Sequence, residues 1–265
     1  MFTVTSADGT EVRAHDSGSG PVILILPPGM DDGAGYRKVA AALSHNHRVL
    51  VLHRRQYRLD LPSPCSFADE IADVKALVEG LGQKVLIFGH SSGGYLALEC
   101  LAAIPKSFYA GAMYEPPVPL DRLAGGEFLP AAQRAVASGH PGKAMQIFTR
   151  DMVGLPPWQA RLIGMLVGLF PKMRRMAPRQ IADVAAMDAL GFRLSSFQSV
   201  SAPVLLIGGD RSPGHLDARL DALSRVLQMS ERVMLRGQGH SAQSGAPQEL
   251  AAVIAAFYSR ALPSA

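Results

Sequence analysis

The sequence predicts an α/β fold: a mostly parallel, twisted sheet with helices on both faces and an inserted helical segment. Short apolar runs, typical of strands buried on both faces, alternate along the chain with helical patterns. Such alternation favours a parallel sheet covered by helices. Only one long stretch, residues 118–199, lacks a clear strand.

The strands begin with a predicted hairpin. Residues 2–18 alternate in polarity around a turn at Asp8-Gly9. Four continuous apolar runs and two weaker ones then predict the remaining strands. The strong runs are 22–26, 48–52, 84–88 and 203–207, and the weaker ones are 109–113 and 232–236.

Helical patterns lie between these strands. They cover residues 35–44, 66–81, 96–104, 216–227 and 247–260. Ser66 is predicted to cap the second helix, because acidic residues follow it in the first turn. Pro247 suits the first position of the last helix.

The stretch without strands predicts a helical lid. Pro and Gly divide it into helical pieces at 130–138, 141–152, 157–169 and 178–190. It holds six of the eleven methionines and the single tryptophan, Trp158. We therefore expect a core domain of residues 1–117 and 200–265, and a lid of residues 118–199. A methionine-rich lid suits an apolar pocket that tolerates varied shapes.

Composition restricts the function classes. The hydrophobic fraction of 48% excludes a disordered chain, and 265 residues fit one large domain. The net charge of +4 comes from scattered arginines, so we expect no nucleic-acid partner. We expect no membrane span and no secretory signal. With only two cysteines, Cys65 and Cys100, the chain suits the reducing cytoplasm.

The sharpest motif is Gly89-His90-Ser91-Ser92-Gly93, a G-x-S-x-G match between a buried strand and a helix. The strand must turn sharply into the helix, and the two glycines leave room for that turn. The Ser91 hydroxyl is then exposed above the sheet, where the helix N-terminus favours negative charge. We expect Ser91 to be a nucleophile.

A serine nucleophile needs a base, and His240 is the candidate. It lies in the glycine-flanked loop GQGH after the last predicted strand. In a doubly wound sheet this loop opens at the same carboxyl edge as Ser91. A histidine there can take the serine proton and pass it to the leaving group. No metal-ligand spacing and no phosphate-binding loop appears, so we expect neither metal nor cofactor.

The strand–GHSSGG–helix unit, the late GQGH loop and the helical insertion resemble the α/β-hydrolase superfamily over essentially the whole chain. The resemblance implies the order serine, acid, histidine, and an oxyanion hole in the loop after the third strand. Family members often carry His-Gly there, whereas this chain has Pro28-Gly29. The backbone N–H of Gly29 or Met30, with that of Ser92, would be the oxyanion donors.

Two carboxylates compete for the acid. The family's usual pattern resembles G-x-x-D-P, and in the matching stretch Ser212 takes the acid's place while Asp210 lies two residues early. Glu115 follows the preceding strand, where Pro116 and Pro117 bar a helix. The zearalenone hydrolases, which this chain resembles at its serine motif, place their acid in this way. We favour Glu115 and keep Asp210 as the alternative.

The expected reaction is hydrolysis of an apolar carboxylic ester or lactone through an acyl-enzyme. A serine at this turn argues against haloalkane dehalogenases and epoxide hydrolases, which resemble this fold but use aspartate. One alternative is a lyase or cofactor-free oxygenase on the same fold, which a probe-reactive serine without ester turnover would indicate. Another is a ligand receptor, which very slow turnover and a ligand-dependent lid change would indicate.

Overall fold

The computed structural model describes residues 1–262, which form an eight-stranded sheet in the order β1-β2-β4-β3-β5-β6-β7-β8. The strands are β1 (Phe2–Thr5), β2 (Glu11–Ser17), β3 (Val22–Leu26), β4 (Arg48–Leu52), β5 (Val85–His90), β6 (Phe108–Tyr114), β7 (Val204–Gly209) and β8 (Ser230–Leu235). The pairs β1–β2 and β2–β4 are antiparallel, and every other pair is parallel. The predicted hairpin, strands and fold class are confirmed.

Helices cover both faces of the sheet. They are α1 (Arg37–Leu43), α2 (Phe67–Leu81), α3 (Ser92–Ala103), α4 (Leu129–Ala137), α5 (Pro141–Ile147), α6 (Pro157–Leu169), α7 (Pro171–Leu190), α8 (Gly214–Val226), α9 (Ala242–Gly245) and α10 (Pro247–Ala261). One hydrophobic core lies between the sheet and α2, α3 and α8. The other lies between the sheet and α1 and α10. This explains why β3, β5 and β7 are buried along their whole length.

Helix starts follow local chemistry. The Ser66 hydroxyl accepts the Asp69 N–H at 3.2 Å, and the Asp69 carboxylate accepts the Ser66 N–H at 2.8 Å. This reciprocal capping box confirms Ser66 as the cap of α2. Helix α3 begins at Ser92 rather than at the predicted residue 96. Its first turn contains Gly93 and Gly94, which have low helix propensity but are packed closely against neighbouring backbone.

Residues 118–199 contain helices and no strand. The predicted pieces are present, with a π-helical turn at Phe148–Met152 after α5. The predicted start of the last piece at Pro178 is wrong, because α7 begins at Pro171 and runs through Pro178. Pro171 takes the first helical position after an extended Phe170, and the guanidinium of Arg179 donates to the Leu61 carbonyl at 2.6 Å. The helix continues past Pro178 although this residue cannot donate the usual backbone hydrogen bond.

Three properties concern the whole described chain. Across residues 1–262, no helix has both the length and the apolar character that a bilayer crossing requires. Within the same range, no three histidine, cysteine or acidic side chains are grouped so that they could hold a metal ion. Cys65 and Cys100 are both unpaired.

Candidate active site

Ser91 forms the turn between β5 and α3. The strand ends at His90 and the helix begins at Ser92, which leaves Ser91 at φ 52° and ψ −126°. Gly89 and Gly93 make the turn sterically possible. A Cβ atom at Gly89 would lie 2.3 Å from the Gly93 carbonyl oxygen, and one at Gly93 would lie 2.3 Å from the Leu26 carbonyl oxygen. The G-x-S-x-G spacing is therefore a packing requirement.

Backbone strain is concentrated at this site. In the described part of the chain, the non-glycine residues with positive φ are Met30 (61°), Ser91 (52°) and Glu115 (46°). Such conformations cost of order 1–3 kcal/mol each and persist where the surrounding structure holds them. The Ser91 N–H donates to the Tyr114 carbonyl at 2.9 Å, and the Glu115 N–H donates to the Ile207 carbonyl at 3.1 Å. All three strained residues are ones that the sequence singles out.

Glu115 follows β6 directly and contacts His240. Its Oε2 lies 2.6 Å from His240 Nδ1, and its Oε1 accepts the Gly209 N–H at 2.8 Å. The residue is 1% exposed, so both oxygens of a buried carboxylate are hydrogen-bonded. With Nδ1 held by this carboxylate, Nε2 of a neutral His240 ring is the acceptor nitrogen.

The competing carboxylate lies outside the site. Asp210 follows β7 and is exposed, and within residues 1–262 its side chain has no hydrogen bond. The preceding residue, Gly209, donates its N–H to Glu115 instead. The structure thus brings Ser91, Glu115 and His240 to one cavity and leaves Asp210 apart.

Tyr114 fixes the loop that carries His240. Its hydroxyl donates to the Gly239 carbonyl and accepts the Ala242 N–H at 3.2 Å, so it holds the backbone on both sides of the histidine. Its ring stacks on His90 at a centroid distance of 4.6 Å. The sequence does not reveal this role, because the contacts join residues more than 120 positions apart.

His90 lies beneath His240, with ring centroids 4.7 Å apart. Burial holds the pKa of His90 well below its usual range, and the nearby His240 adds to this effect. His90 therefore stays neutral and places no positive charge against the ring of His240.

The loop after β3 supplies free amides beside Ser91. Within residues 1–262, the N–H groups of Gly29, Met30 and Ser92 donate no hydrogen bond. Gly29, Met30 and Ser91 line a common cavity, and Ser92 opens α3, where the helix dipole favours negative charge. These N–H groups can donate hydrogen bonds to an oxyanion.

A buried ion network ties the helical insertion to the nucleophile turn. Arg54 is fully buried, and its guanidinium contacts Glu70 at 2.6 Å, Asp183 of α7 at 3.0 Å and the Ser92 hydroxyl at 2.7 Å. The Tyr57 hydroxyl lies 2.8 Å from the same Asp183 carboxylate. No local signal in the sequence reveals this link to Ser92, because 38 positions separate it from Arg54.

Ser91 and His240 lie between two cavities of about 130 and 280 Å³. The first is mostly apolar, and the second is bounded by the loop after β3. Helix α7 and the segment 148–155, which connects α5 to α6, supply much of both walls. Apolar side chains of the first cavity include Pro117, Ala124, Phe148, Met152, Val184 and Met187.

The chain is similar in sequence and in fold to known proteins. A sequence model described as the alpha/beta hydrolase family matches residues 22–253. The structure is similar to an alpha/beta hydrolase from Sphaerobacter thermophilus DSM 20745, with a TM-score of 0.84 and 28% identity over 97% of this chain and 100% of that one.

Two further solved structures share the fold at lower identity. One is the enol-lactonase from Burkholderia xenovorans LB400, with a TM-score of 0.76 and 18% identity over 97% of this chain and 100% of the other. The second is a thermophilic esterase from Thermogutta terrifontis, with a TM-score of 0.75 and 18% identity over 98% of each chain.

Proposed function

The chain belongs to the alpha/beta hydrolase family, and from this premise we propose that it is a serine hydrolase that cleaves a carboxylic ester or lactone through an acyl-enzyme. The observation that carries the proposal is the hydrogen bond between Glu115 and His240 beside a strained Ser91 in one cavity. This arrangement supplies a nucleophile, a base and a group that orients the base.

In the proposed reaction, Ser91 Oγ attacks the carbonyl carbon while His240 Nε2 takes the hydroxyl proton. Glu115 holds the Nδ1–H tautomer and stabilises the imidazolium that forms. The N–H groups of Ser92 and of Met30 or Gly29 bind the oxyanion. The ester C–O bond then breaks, and His240 gives its proton to the leaving oxygen. Water attacks the acyl-enzyme by the same steps and releases the acid.

We also propose that residues 118–199 act as a lid and that the substrate is a small, largely apolar molecule. The apolar walls of the first cavity support both ideas, since α7 and the segment around Phe148 supply part of them. Two cavities flanking Ser91 suit the acyl and alcohol parts of an ester. The unpaired cysteines agree with a cytoplasmic location, which we propose as well.

A fluorophosphonate probe with an intact-mass readout tests the proposal. We expect one adduct on the wild-type protein, no adduct on Ser91→Ala, and an unchanged adduct on the control Ser259→Ala, because Ser259 is exposed on α10. An unlabelled wild type, or equal labelling of Ser91→Ala, would contradict the proposal. Labelling of Ser91 without turnover of any ester or lactone would instead favour a lyase or a cofactor-free oxygenase.

A further inference from the structure

One wall of the first cavity contains a histidine and an arginine. The N-terminal half of α8 turns one face toward Ser91 and His240, and Pro213, His215, Leu216 and Arg219 line the cavity from this side. His215 and Arg219 are one helical turn apart, so they lie on the same face. The first turn of α8 also carries the partial positive charge of a helix N-terminus.

Arg219 is held in place but its charge is unpaired. Its Nε donates to the Val118 carbonyl at 3.1 Å and its Nη1 to the His215 carbonyl at 3.4 Å. Within residues 1–262, Nη2 donates no hydrogen bond and no carboxylate oxygen lies within 4 Å of this guanidinium. Backbone carbonyls therefore orient the Arg219 guanidinium and leave its Nη2 group available to bind a ligand.

The nearby charges do not neutralise Arg219. Arg122 adds to the positive potential at Arg219, and Asp121 counteracts part of it. Asp217 and Asp221 of α8 bind Arg232 instead. The Arg219 side chain is half-buried, and this burial, together with Arg122, lowers its pKa. An unpaired charge in such a place is costly, and a ligand anion would relieve the cost.

We infer that the substrate carries a carboxylate, which Arg219 binds in this mostly apolar cavity. This inference rests on the proposed function, because it names the substrate class of the same site. A guanidinium held by backbone carbonyls matches a carboxylate in charge and in planar geometry. The apolar side chains that line the same cavity then contact the hydrocarbon part of the substrate.

Two matched pairs of esters test this inference. The first pair is the mono-4-nitrophenyl ester of adipic acid and the same ester with its free carboxylate methylated. The two compounds differ in one charge on the acyl part. The second is 4-(butanoyloxy)benzoate and its methyl ester, which differ in one charge on the alcohol part. The readout is the ratio of kcat/KM for the charged ester to kcat/KM for the neutral one.

We expect the wild-type protein to prefer the charged member of at least one pair by about 10- to 100-fold, as a charge-assisted hydrogen bond allows. In Arg219→Gln this ratio falls to about one. In Arg219→Lys it takes an intermediate value, since lysine keeps the charge and loses the fork. The control Arg225→Gln removes an exposed arginine from the same helix and leaves the ratio at the wild-type value.

The outcomes separate this inference from the proposed function. If wild type shows no preference in either pair, or if Arg219→Gln keeps the preference, the inference is wrong while the serine hydrolase stands. If none of the four esters is hydrolysed and the fluorophosphonate probe does not label Ser91, the proposed function is wrong. Thermal unfolding with adipate then tests the site alone: adipate raises the Tm of wild type but not of Arg219→Gln, and equal shifts would overturn the inference. If Arg219→Gln does not fold, Arg219→Lys replaces it: an intermediate ratio supports the inference, and an unchanged ratio overturns it.

Discussion

Oε2 of Glu115 lies 2.6 Å from Nδ1 of His240, although 125 residues separate them, and the second oxygen of the same carboxylate accepts the Gly209 N–H. The carboxylate therefore faces two donors, one from the loop after β8 and one from the end of β7. In the sheet, β7 lies between β6, which ends beside Glu115, and β8, which precedes His240. The Glu115 side chain extends past the end of β7 to the histidine, and the last N–H of β7 binds its second oxygen.

Tyr114 is expected to position His240 for catalysis. In Tyr114→Phe the Gly239 carbonyl and the Ala242 N–H lose their common partner, so the loop loosens around the histidine. We expect kcat to fall about 3- to 10-fold with little change in KM, from hydrogen bonds worth about 0.5–1.5 kcal/mol. Steady-state kinetics on a turned-over ester measures this.

Tyr258→Phe is the matched control for that variant. The Tyr258 hydroxyl donates to the Ile87 carbonyl in the middle of β5, so its loss removes a similar bond away from the site. A kcat that falls equally in both variants would show that Tyr114 acts through general stability alone.

Gly93 is expected to tolerate no side chain. In Gly93→Ala the new Cβ would meet the carbonyl oxygens of Leu26 and Pro27, which are backbone atoms and cannot move freely. We expect a loss of about 1–3 kcal/mol in the free energy of unfolding, together with a loss of activity, because the nucleophile turn must shift. Urea denaturation and ester turnover measure the two effects.

Gly168→Ala provides the contrast. Gly168 lies in α6 with no atom within 4 Å of its virtual Cβ, so alanine should stabilise the helix by about 0.5–1 kcal/mol. If both alanine variants have the same unfolding free energy as wild type, the packing argument for the motif fails.

Arg54 is expected to be indispensable for stability. Arg54→Met leaves Glu70 and Asp183 buried without their common cation. Breaking a buried pair in this way costs about 3–5 kcal/mol, which urea denaturation detects as a lower midpoint. Arg260→Met removes an exposed pair with Glu231 and should leave the midpoint almost unchanged. Equal midpoints for the two variants would count against the network.

His90 gives the protein a defined pH dependence. The pKa of this buried histidine is lowered in the folded state from an ordinary value of 6.5. Below pH 6.5 the unfolded chain therefore binds a proton at His90 that the folded chain does not bind. The free energy of unfolding is therefore not reduced by His90 above pH 6.5. Below that pH it falls by up to about 1.4 kcal/mol per pH unit. The unfolding free energy of His90→Gln between pH 7 and pH 5 should fall less steeply than that of wild type. Parallel curves would refute this account.

The predictable part of the site is the part encoded locally. The turn at Ser91 and the loop at His240 each depend on a few adjacent residues, and the apolar runs around them predict a mostly parallel sheet. The acid remained open between Glu115 and Asp210, because both follow strands at the same sheet edge and only tertiary packing orients their side chains. Tyr114 and Arg219 act through contacts that span more than 100 residues, for which the sequence carries no local signal. The predicted helix start at Pro178 is wrong because a helix already held by buried contacts can include a proline.

Ser91, His240 and Glu115 are proposed to act together, and the kinetics of Glu115→Gln beside Asp210→Asn distinguish this triad from one that uses Asp210. Glutamine keeps the shape of the side chain but loses the charge that holds the His240 tautomer, so we expect kcat to fall about 10³- to 10⁴-fold. Asp210→Asn should stay within about twofold of wild type, because Asp210 is exposed and apart from the histidine. A large loss in Asp210→Asn together with near-normal turnover in Glu115→Gln would contradict the account.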